Sequence, residues 1–540
     1  MPFAYLRKHR AEQERQRARP GVPRQPRDAS SGRAVKIGLM AIVFAPILLQ
    51  LPWLHSAFGP GSRMPALWVR SDPPSTGSEG STDCWNVAGG EQFRFCEDMH
   101  AIPGTSTVLI SCDAHRAGWN TVMGPLADAQ PRGGLFSYSY PTSPSPPAAA
   151  ERGEAKPVAL VNFPQNSTFH PLGVSLLPHA QEGKSGGLLF VVNHRRERSS
   201  VELFQLSLGE DGWEAIWQRS IVHPVATHTP NSIHALTASS FVVTNDHFFA
   251  RRPGPLDTHL VPLLEQVFFD SAIAGGQAGW RKWLVVQAAT LLSKRAVAAR
   301  LAQLETVLGL SLGWVSYVQF EPDSKKGEED GVEVRRIATG IPFANGVAVT
   351  PDERTMIVAA TTYPGIWMYD LPTSHPLQWH LRPTTKLHLP FRVDNLAWSH
   401  PTVHSPWTST SKFNNLTLLA TGHPAPFRLI AMSQSPLSRT SPSWSVAIAP
   451  HAPSTVAQVW EDSDAPLPAH HFTLSHNPLW SIRTLLQSTG EAARVGKHGE
   501  KVKLPSSASS FFHSYGHATK GTLLVSGLYG PVLACTNVST

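Results

Sequence analysis

Leu188-Leu189-Phe190-Val191-Val192-Asn193-His194 and Phe241-Val242-Val243-Thr244-Asn245-Asp246-His247 share one plan: a short apolar run that ends in a polar cap. A third version, Ala420-Thr421-Gly422-His423, closes the run Leu416–Ala420. β-Branched and aromatic side chains suit a pleated, half-buried strand. Further runs of this kind lie at Val201–Ser207, where the alternation is strict, and at Val315–Phe320, Thr355–Thr361 and Thr522–Leu528, with turn signals such as Pro351-Asp352 between them. Many short strands without intervening helices predict a sandwich, a barrel or a propeller. In a propeller such strand ends meet at one mouth of a central channel and their polar residues can converge, but the repeat is too degenerate to prove blades by itself.

The composition agrees with a large, turn-rich β body. Of 540 residues, 41% are hydrophobic and only 16% charged, which is ample for a core and excludes disorder throughout. The 47 prolines and 40 glycines disfavour long uninterrupted helices. The net charge of +7 invites a nucleic-acid reading, but it resides in residues 1–36, which hold ten Lys/Arg against three acids. The remaining chain carries 36 residues of each sign, so no nucleic-acid partner is expected of the body.

Behind that basic cytosolic tail, residues 37–54 are apolar apart from Pro46, Gln50 and Pro52. About 18 residues just span a hydrocarbon core of ~30 Å. The charge step across the segment predicts an uncleaved signal anchor, with the N-terminus in the cytosol and the body lumenal or extracellular. The expected form is a single-pass type II protein of the secretory pathway, in the endoplasmic reticulum or at the cell surface. Residues 55–83, rich in Pro, Ser and Gly, read as a stalk. Sequons at Asn166, Asn415 and Asn537 agree with that compartment and are candidate glycosylation sites. Of the cysteines, Cys84, Cys96 and Cys112 come early and Cys535 almost last. An oxidising compartment permits a bond closing the body's ends; four unpaired thiols is the alternative.

Two stretches break the β pattern. Residues 251–310 read as helical, with Leu284, Ala288, Leu291, Leu301, Leu304 and Leu308 at helical spacing beside Trp280, Trp283, Arg281, Lys282, Lys294, Arg295 and Arg300. Such a segment lies on a membrane surface or packs on the body as a lid. Residues 433–480, rich in Pro, Ser and His, read as an inserted surface loop.

The candidate chemistry sits in polar islands inside apolar surroundings: Glu97-Asp98, Asn231-Ser232, Phe343-Ala344-Asn345-Gly346 and Val393-Asp394-Asn395. Burying carboxylates and amides without partners is costly. A hard cation such as calcium, which takes six to eight oxygens, would relieve that cost. The alternative is a set of β-turns, where Asn, Asp and Gly are common. No EF-hand, zinc motif, P-loop or nucleophile elbow is present.

Taken in order, these islands and their surroundings resemble the serum paraoxonase/arylesterase family across most of residues 84–538. The segments that carry the likeness are Ser167-Thr168-Phe169-His170-Pro171-Leu172-Gly173-Val174-Ser175, Phe190–His194, Ser200–Phe204, Thr244–Phe249, Leu308-Gly309-Leu310, Phe343–Gly346, Val393–Asn395 and Gly422-His423-Pro424. The resemblance implies an all-β, six-bladed β-propeller over 84–540 with a central calcium site and an end-to-end disulfide at Cys84 and Cys535. It implies a catalytic calcium held by Glu97, Asn231, Asn345, Asp394 and Asn395, and a second, structural calcium near Asp98 and the carbonyl of Val174. The family's third ligand to that second ion is an aspartate where this chain has Ser232, so the second site is expected to be weaker or empty. The inner member of the family's histidine dyad falls at Leu172, which cannot accept a proton. Its partner matches His194, and His170 lies two residues before the gap. His247, supported by Asp246, and His423 match positions near the channel mouth in base or binding roles.

The expected function is therefore a membrane-anchored, calcium-dependent arylesterase or lactonase acting on small apolar esters or lactones. Without the inner histidine, catalysis is weakened by a factor on the order of 10²–10⁴, or uses another histidine. A non-catalytic calcium-binding propeller that serves as a lumenal chaperone or assembly partner for membrane proteins is the alternative. A gluconolactonase- or strictosidine-synthase-like propeller is a third.

Overall fold

The computed structural model describes residues 64–71, 82–145, 147–179, 184–269, 279–322, 327–399, 417–450, 464–467, 480–494, 501–504, 506–515 and 520–539. The basic tail, the apolar run 37–54 and the Asn415 sequon lie outside them. Among the described residues no helix is long and apolar enough to cross a membrane.

Six sheets form the blades of a β-propeller, antiparallel except where Ala159–Val161 and Ala88–Gly89 each add a parallel strand at an edge. Their innermost strands are Cys96–Ile102, Pro171–Pro178, Pro230–Thr237, Ala344–Val349, Arg392–Trp398 and Ser507–Ser514. Each of these strands packs against the next, and the sixth packs against the first, which closes the ring. The alternation seen in the sequence serves this arrangement. Both faces of a blade are covered by its neighbours, so inner strands such as Ala344–Val349 are buried along their whole length. The core divides accordingly between blades. Val191, Phe204 and Leu206 pack on Ile102, Leu109 and Leu135 of the preceding blade, and Val242 and Val315 pack on Val347 and Val358 of the following one.

The last blade takes its outer strand from the other end of the chain. Asp83–Asn86 pairs antiparallel with Leu533–Ser539, Cys84 lies directly opposite Cys535, and the two are disulfide-bonded. A second disulfide joins Cys96 to Cys112 across the two innermost strands of the first blade, so no cysteine is free. The pairing of Cys84 with Cys535 is as expected; the Cys96–Cys112 bond was not anticipated. Two disulfides fit a lumenal or extracellular body.

Three sequence expectations need correction here. The stalk over 55–83 is too long at its C-terminal side: Met64 is buried, Leu67–Val69 adds a strand to the fifth blade, and Asp83 begins the closing strand. The surface loop expected over 433–480 contains the blade strand Ser443–Pro450, in which Trp444, Val446 and Ile448 enter the core on alternate positions. Within 251–310, helices Val261–Phe269, Gly279–Leu292 and Arg295–Leu308 do form between two strands of the third blade, but their docked face is not the leucine stripe. Val285, Ala289, Ala298, Ala302 and Glu305 are buried, whereas Leu284, Leu291 and Leu304 are exposed with Trp280 and Trp283. Small residues permit close approach to the body, so the larger side chains turn outward.

Candidate functional site

The inner strands deliver their first residues to one mouth of the channel. Glu97, Asn231 and Asn345 are each second in their strand, and Asp394 and Asn395 are third and fourth in theirs. Glycine makes this convergence possible at Gly346, where a Cβ would lie 2.7 Å from the Cα of Asn395 and 2.8 Å from the carbonyl oxygen of Asp394. Phe95 and Phe343, both with positive φ, bend the chain two residues before Glu97 and Asn345.

Glu97, Asn231, Asn345 and Asp394 line a single cavity of about 80 Å³, and Asn395 is joined to Glu97 beside it. Every amide nitrogen of the set is turned away into a hydrogen bond. Asn231 donates to Asp246 Oδ2 (3.2 Å), Asn345 to Asp394 Oδ1 (2.5 Å), and Asn395 to Glu97 Oε1 (2.9 Å). The complementary oxygens are left bare: Glu97 Oε2, Asn231 Oδ1, Asn345 Oδ1 and Asn395 Oδ1 are buried and accept no hydrogen bond from any described residue. Burial, followed by the charges of Asp98 and Asp394, pushes Glu97 well above the usual carboxylate range. Four unpartnered oxygens and an acid held against its will to ionise are what a cation would relieve. No group of three or more His, Cys, Asp or Glu among the described residues is placed to hold a metal. The set here is one Glu, one Asp and three Asn, and all-oxygen donors of this kind suit a hard cation.

Two histidines orient this set from behind. His423 Nε2 bonds Asp394 Oδ2 at 2.8 Å, and Asp394 in turn receives Asn345. His247 Nδ1 bonds Asp246 Oδ1 at 2.8 Å, and Asp246 receives Asn231. The two His–Asp–Asn chains are alike, and each fixes which way an asparagine oxygen points. Burial would lower His247, but the charge and hydrogen bond of Asp246, with Glu305 nearby, raise it above its ordinary value. His423 lines the cavity. His247 does not; its Nε2 meets Thr306 Oγ1 of helix Arg295–Leu308.

His194 also lines the cavity, next to Leu172, which is 6% exposed. Its Nε2 contacts the carbonyl oxygen of Pro230 at 2.6 Å, and its Nδ1 contacts Thr121 Oγ1. Burial lowers its pKa to about 4, so the ring is neutral at pH 7. His170 has both ring nitrogens engaged by the protein, with Asp113 Oδ2 at 2.9 Å and the carbonyl oxygen of Ala129 at 3.0 Å.

The second set differs. Asp98 Oδ1 accepts from Met99 N (2.9 Å) and Ser509 Oγ (3.2 Å), and its Oδ2 accepts from Val174 N (2.9 Å). What Val174 presents to Asp98 is thus its N–H, and Ser232 Oγ already accepts from Val347 N. Asn166 is exposed, as a glycan acceptor must be. Asn537 is buried and its amide nitrogen donates to the carbonyl oxygen of Pro144, so the atom that would carry a glycan is covered in the folded chain. Residues the sequence did not single out complete the cavity wall: Arg116, Trp119, Asn120, Thr121, Val122 and Met123 from the loop after strand Thr107–Cys112, with Leu429 and Leu528 opposite.

The arylesterase family model matches residues 146–269. Serum paraoxonase/arylesterase 1 of Mus musculus and of Homo sapiens are each 26% identical over 231 residues, covering 43% of this chain and 46% of the relative. Serum paraoxonase/arylesterase 2 of Gallus gallus is 24% identical over 230 residues, with the same coverage. The chain thus spans about half the length of the curated relatives it matches. Among solved structures, a luciferin-regenerating enzyme aligns with 84% of this chain and 95% of its own at 11% identity and a TM-score of 0.35. A gluconolactonase from Xanthomonas campestris aligns with 88% and 96% at 10% identity and a TM-score of 0.36. The chain is similar to the serum paraoxonase/arylesterase family, as its motifs led one to expect.

Proposed function

We propose that this relative of the paraoxonases is a calcium-dependent hydrolase of small esters or lactones, working at the Glu97 mouth of the channel. The observation that carries the reading is the set of four bare, buried oxygens on Glu97, Asn231, Asn345 and Asn395. With Asp394 they would hold one calcium ion. Bound there, calcium would polarise the ester carbonyl and stabilise the oxyanion that develops on it. The chain's own residues do the rest. Trp119, Val122, Met123 and Phe343 give the cavity an apolar wall for the acyl or leaving group. Both His–Asp–Asn chains keep the asparagine oxygens aimed inward during turnover.

Proton transfer is the weak link. Nε2–H of His194 is committed to Pro230, so only Nδ1 can take a proton, and only when water replaces the Thr121 hydroxyl there. A base at about 4 is poorly matched to pH 7. Slow turnover follows. Leu172 also supports a second reading, a calcium-stabilised propeller without catalysis that assists membrane proteins. The exposed Trp280 (59%) and Trp283 (60%), beside Arg281 and Lys282, support contact of the helical insert with a membrane, and the run 37–54 supports an anchor.

Hydrolysis of phenyl acetate and of a long-chain lactone by the full chain, with calcium and with chelator, tests the proposal. Chelator-sensitive turnover absent from Asn345→Ala is expected. Calcium binding without turnover above that control would leave the second reading.

A further inference from the structure

Arg116 stands in the loop between strands Thr107–Cys112 and Gly134–Ser139, on the wall of the same cavity. It is only 5% exposed. Neither its Nε nor its Nη2 has a hydrogen-bond partner among the described residues. A guanidinium with two of its three nitrogens buried and unpartnered is unfavourable, and proteins rarely hold one without a use. The charge of Arg116 acts on Glu97 and, together with Asp113, on Tyr529. Yet Glu97 Oε2 is bare as well, so the two groups do not meet. A bare carboxyl oxygen and a cationic fork therefore face one small space without closing on each other. Trp119, Val122, Met123, Leu172, Phe343 and Leu528 supply the apolar part of the remaining wall, which they share with Asp113, three histidines and the Asn231, Asn345 and Asp394 set. A planar fork in such a wall is matched by a carboxylate on an otherwise apolar molecule.

We propose that Arg116 receives a carboxylate carried by the substrate, so that the preferred esters or lactones are small monoanions rather than neutral molecules. This rests on the hydrolase reading for the reaction but not for the binding. Arg116 is then a specificity-determining residue that docks the end of the substrate remote from the scissile carbonyl.

The full chain is assayed with phenyl acetate and with monophenyl succinate, and its affinity for succinate and for acetate is read from tryptophan fluorescence, Trp119 lying in the cavity wall. A charge-assisted hydrogen bond predicts that kcat/KM favours monophenyl succinate by about 10- to 100-fold, and that succinate binds more tightly than acetate by a similar factor. Arg116→Gln abolishes both preferences and Arg116→Lys keeps part of them. Arg116→Met also melts at a higher temperature than the wild type, because an unpaired buried cation has been removed. Succinate binding that depends on Arg116 while neither ester is hydrolysed sustains the inference and defeats only the hydrolase reading. A wild-type protein indifferent to the charge of the ester overturns the inference without any variant. Acetate bound as tightly as succinate assigns Arg116 to the product acid and overturns it too.

Discussion

Glu97 and Asp98 are consecutive residues of one inner strand, and their side chains leave it in opposite directions, as successive strand residues do. Glu97 enters the upper cavity and keeps one oxygen bare. Asp98 lines the opposite cavity, about 420 Å³, with His100, Val174, Ser232 and His234, and has both oxygens hydrogen-bonded. Burial raises both, Asp98 only to about 6 because the N–H groups of Val174 and Met99 and the hydroxyl of Ser509 oppose the shift. Asp394 also has both oxygens engaged, by Asn345 and His423, but it sits among four bare oxygens, whereas no bare oxygen lies beside Asp98 among the described residues. The contrast argues for one calcium ion, at the upper mouth.

The strongest way to break this contrast is to neutralise each acid in turn. Glu97→Gln is expected to lower calcium affinity and ester hydrolysis by at least about 10²-fold, more than an outer-shell change would. Asp98→Asn is expected to change calcium affinity by less than about tenfold while lowering unfolding free energy by about 1–3 kcal/mol through lost hydrogen bonds. Calorimetric calcium titration and urea unfolding read both. Equal loss of calcium from the two variants would refute the single-ion picture.

Acid should affect both mouths alike, which sharpens the difference that calcium makes. His194 above and His234 below are each held at about 4, by burial in both cases and, for His234, by the charge of His100 as well. Their ordinary value is about 6.5. The folded chain therefore binds fewer protons than the unfolded one between these limits. Their stabilisation is whole above about 6.5 and is lost as pH falls toward 4, by up to about 3 kcal/mol for each ring. His194→Asn and His234→Asn should each flatten the pH dependence of urea unfolding over that window; unchanged slopes would contradict the assigned burial.

Leu172→His places an imidazole beside His194 and should raise kcat/KM for phenyl acetate by about tenfold or more if a missing base limits turnover. No gain would shift the balance toward the non-catalytic reading. The smallest effect is expected from Ser232→Asp, which adds a carboxylate near Asp98. Calcium stoichiometry should rise from one toward two with a weak second affinity; a stoichiometry that stays at one means that the Val174 N–H and its neighbours already close that site.

The fold was legible because capped apolar runs recur where the second strands of three blades end, and the upper oxygen set was legible through the order of its islands. What stayed hidden depends on tertiary placement. Trp444, Val446 and Ile448 alternate as a strand should, but Ser and Pro around them masked the signal. Cys96 and Cys112 become partners only through strand register. Arg116 is one basic residue in a loop, and only the folded ring shows it buried without a partner. An asparagine in a sequon carries no mark of whether it will be covered, as Asn537 is.

The clasp between Cys84 and Cys535 spans a sequence separation of 451 residues. During synthesis, the segment Asp83–Asn86 must wait unpaired until nearly the whole polypeptide has left the ribosome. The sixth blade cannot be completed before then, and Glu97 and Asp394, made nearly three hundred residues apart, meet only when the ring shuts. A nascent chain stopped short of its final strand would thus hold five blades and a ring with an open seam between the first and the last.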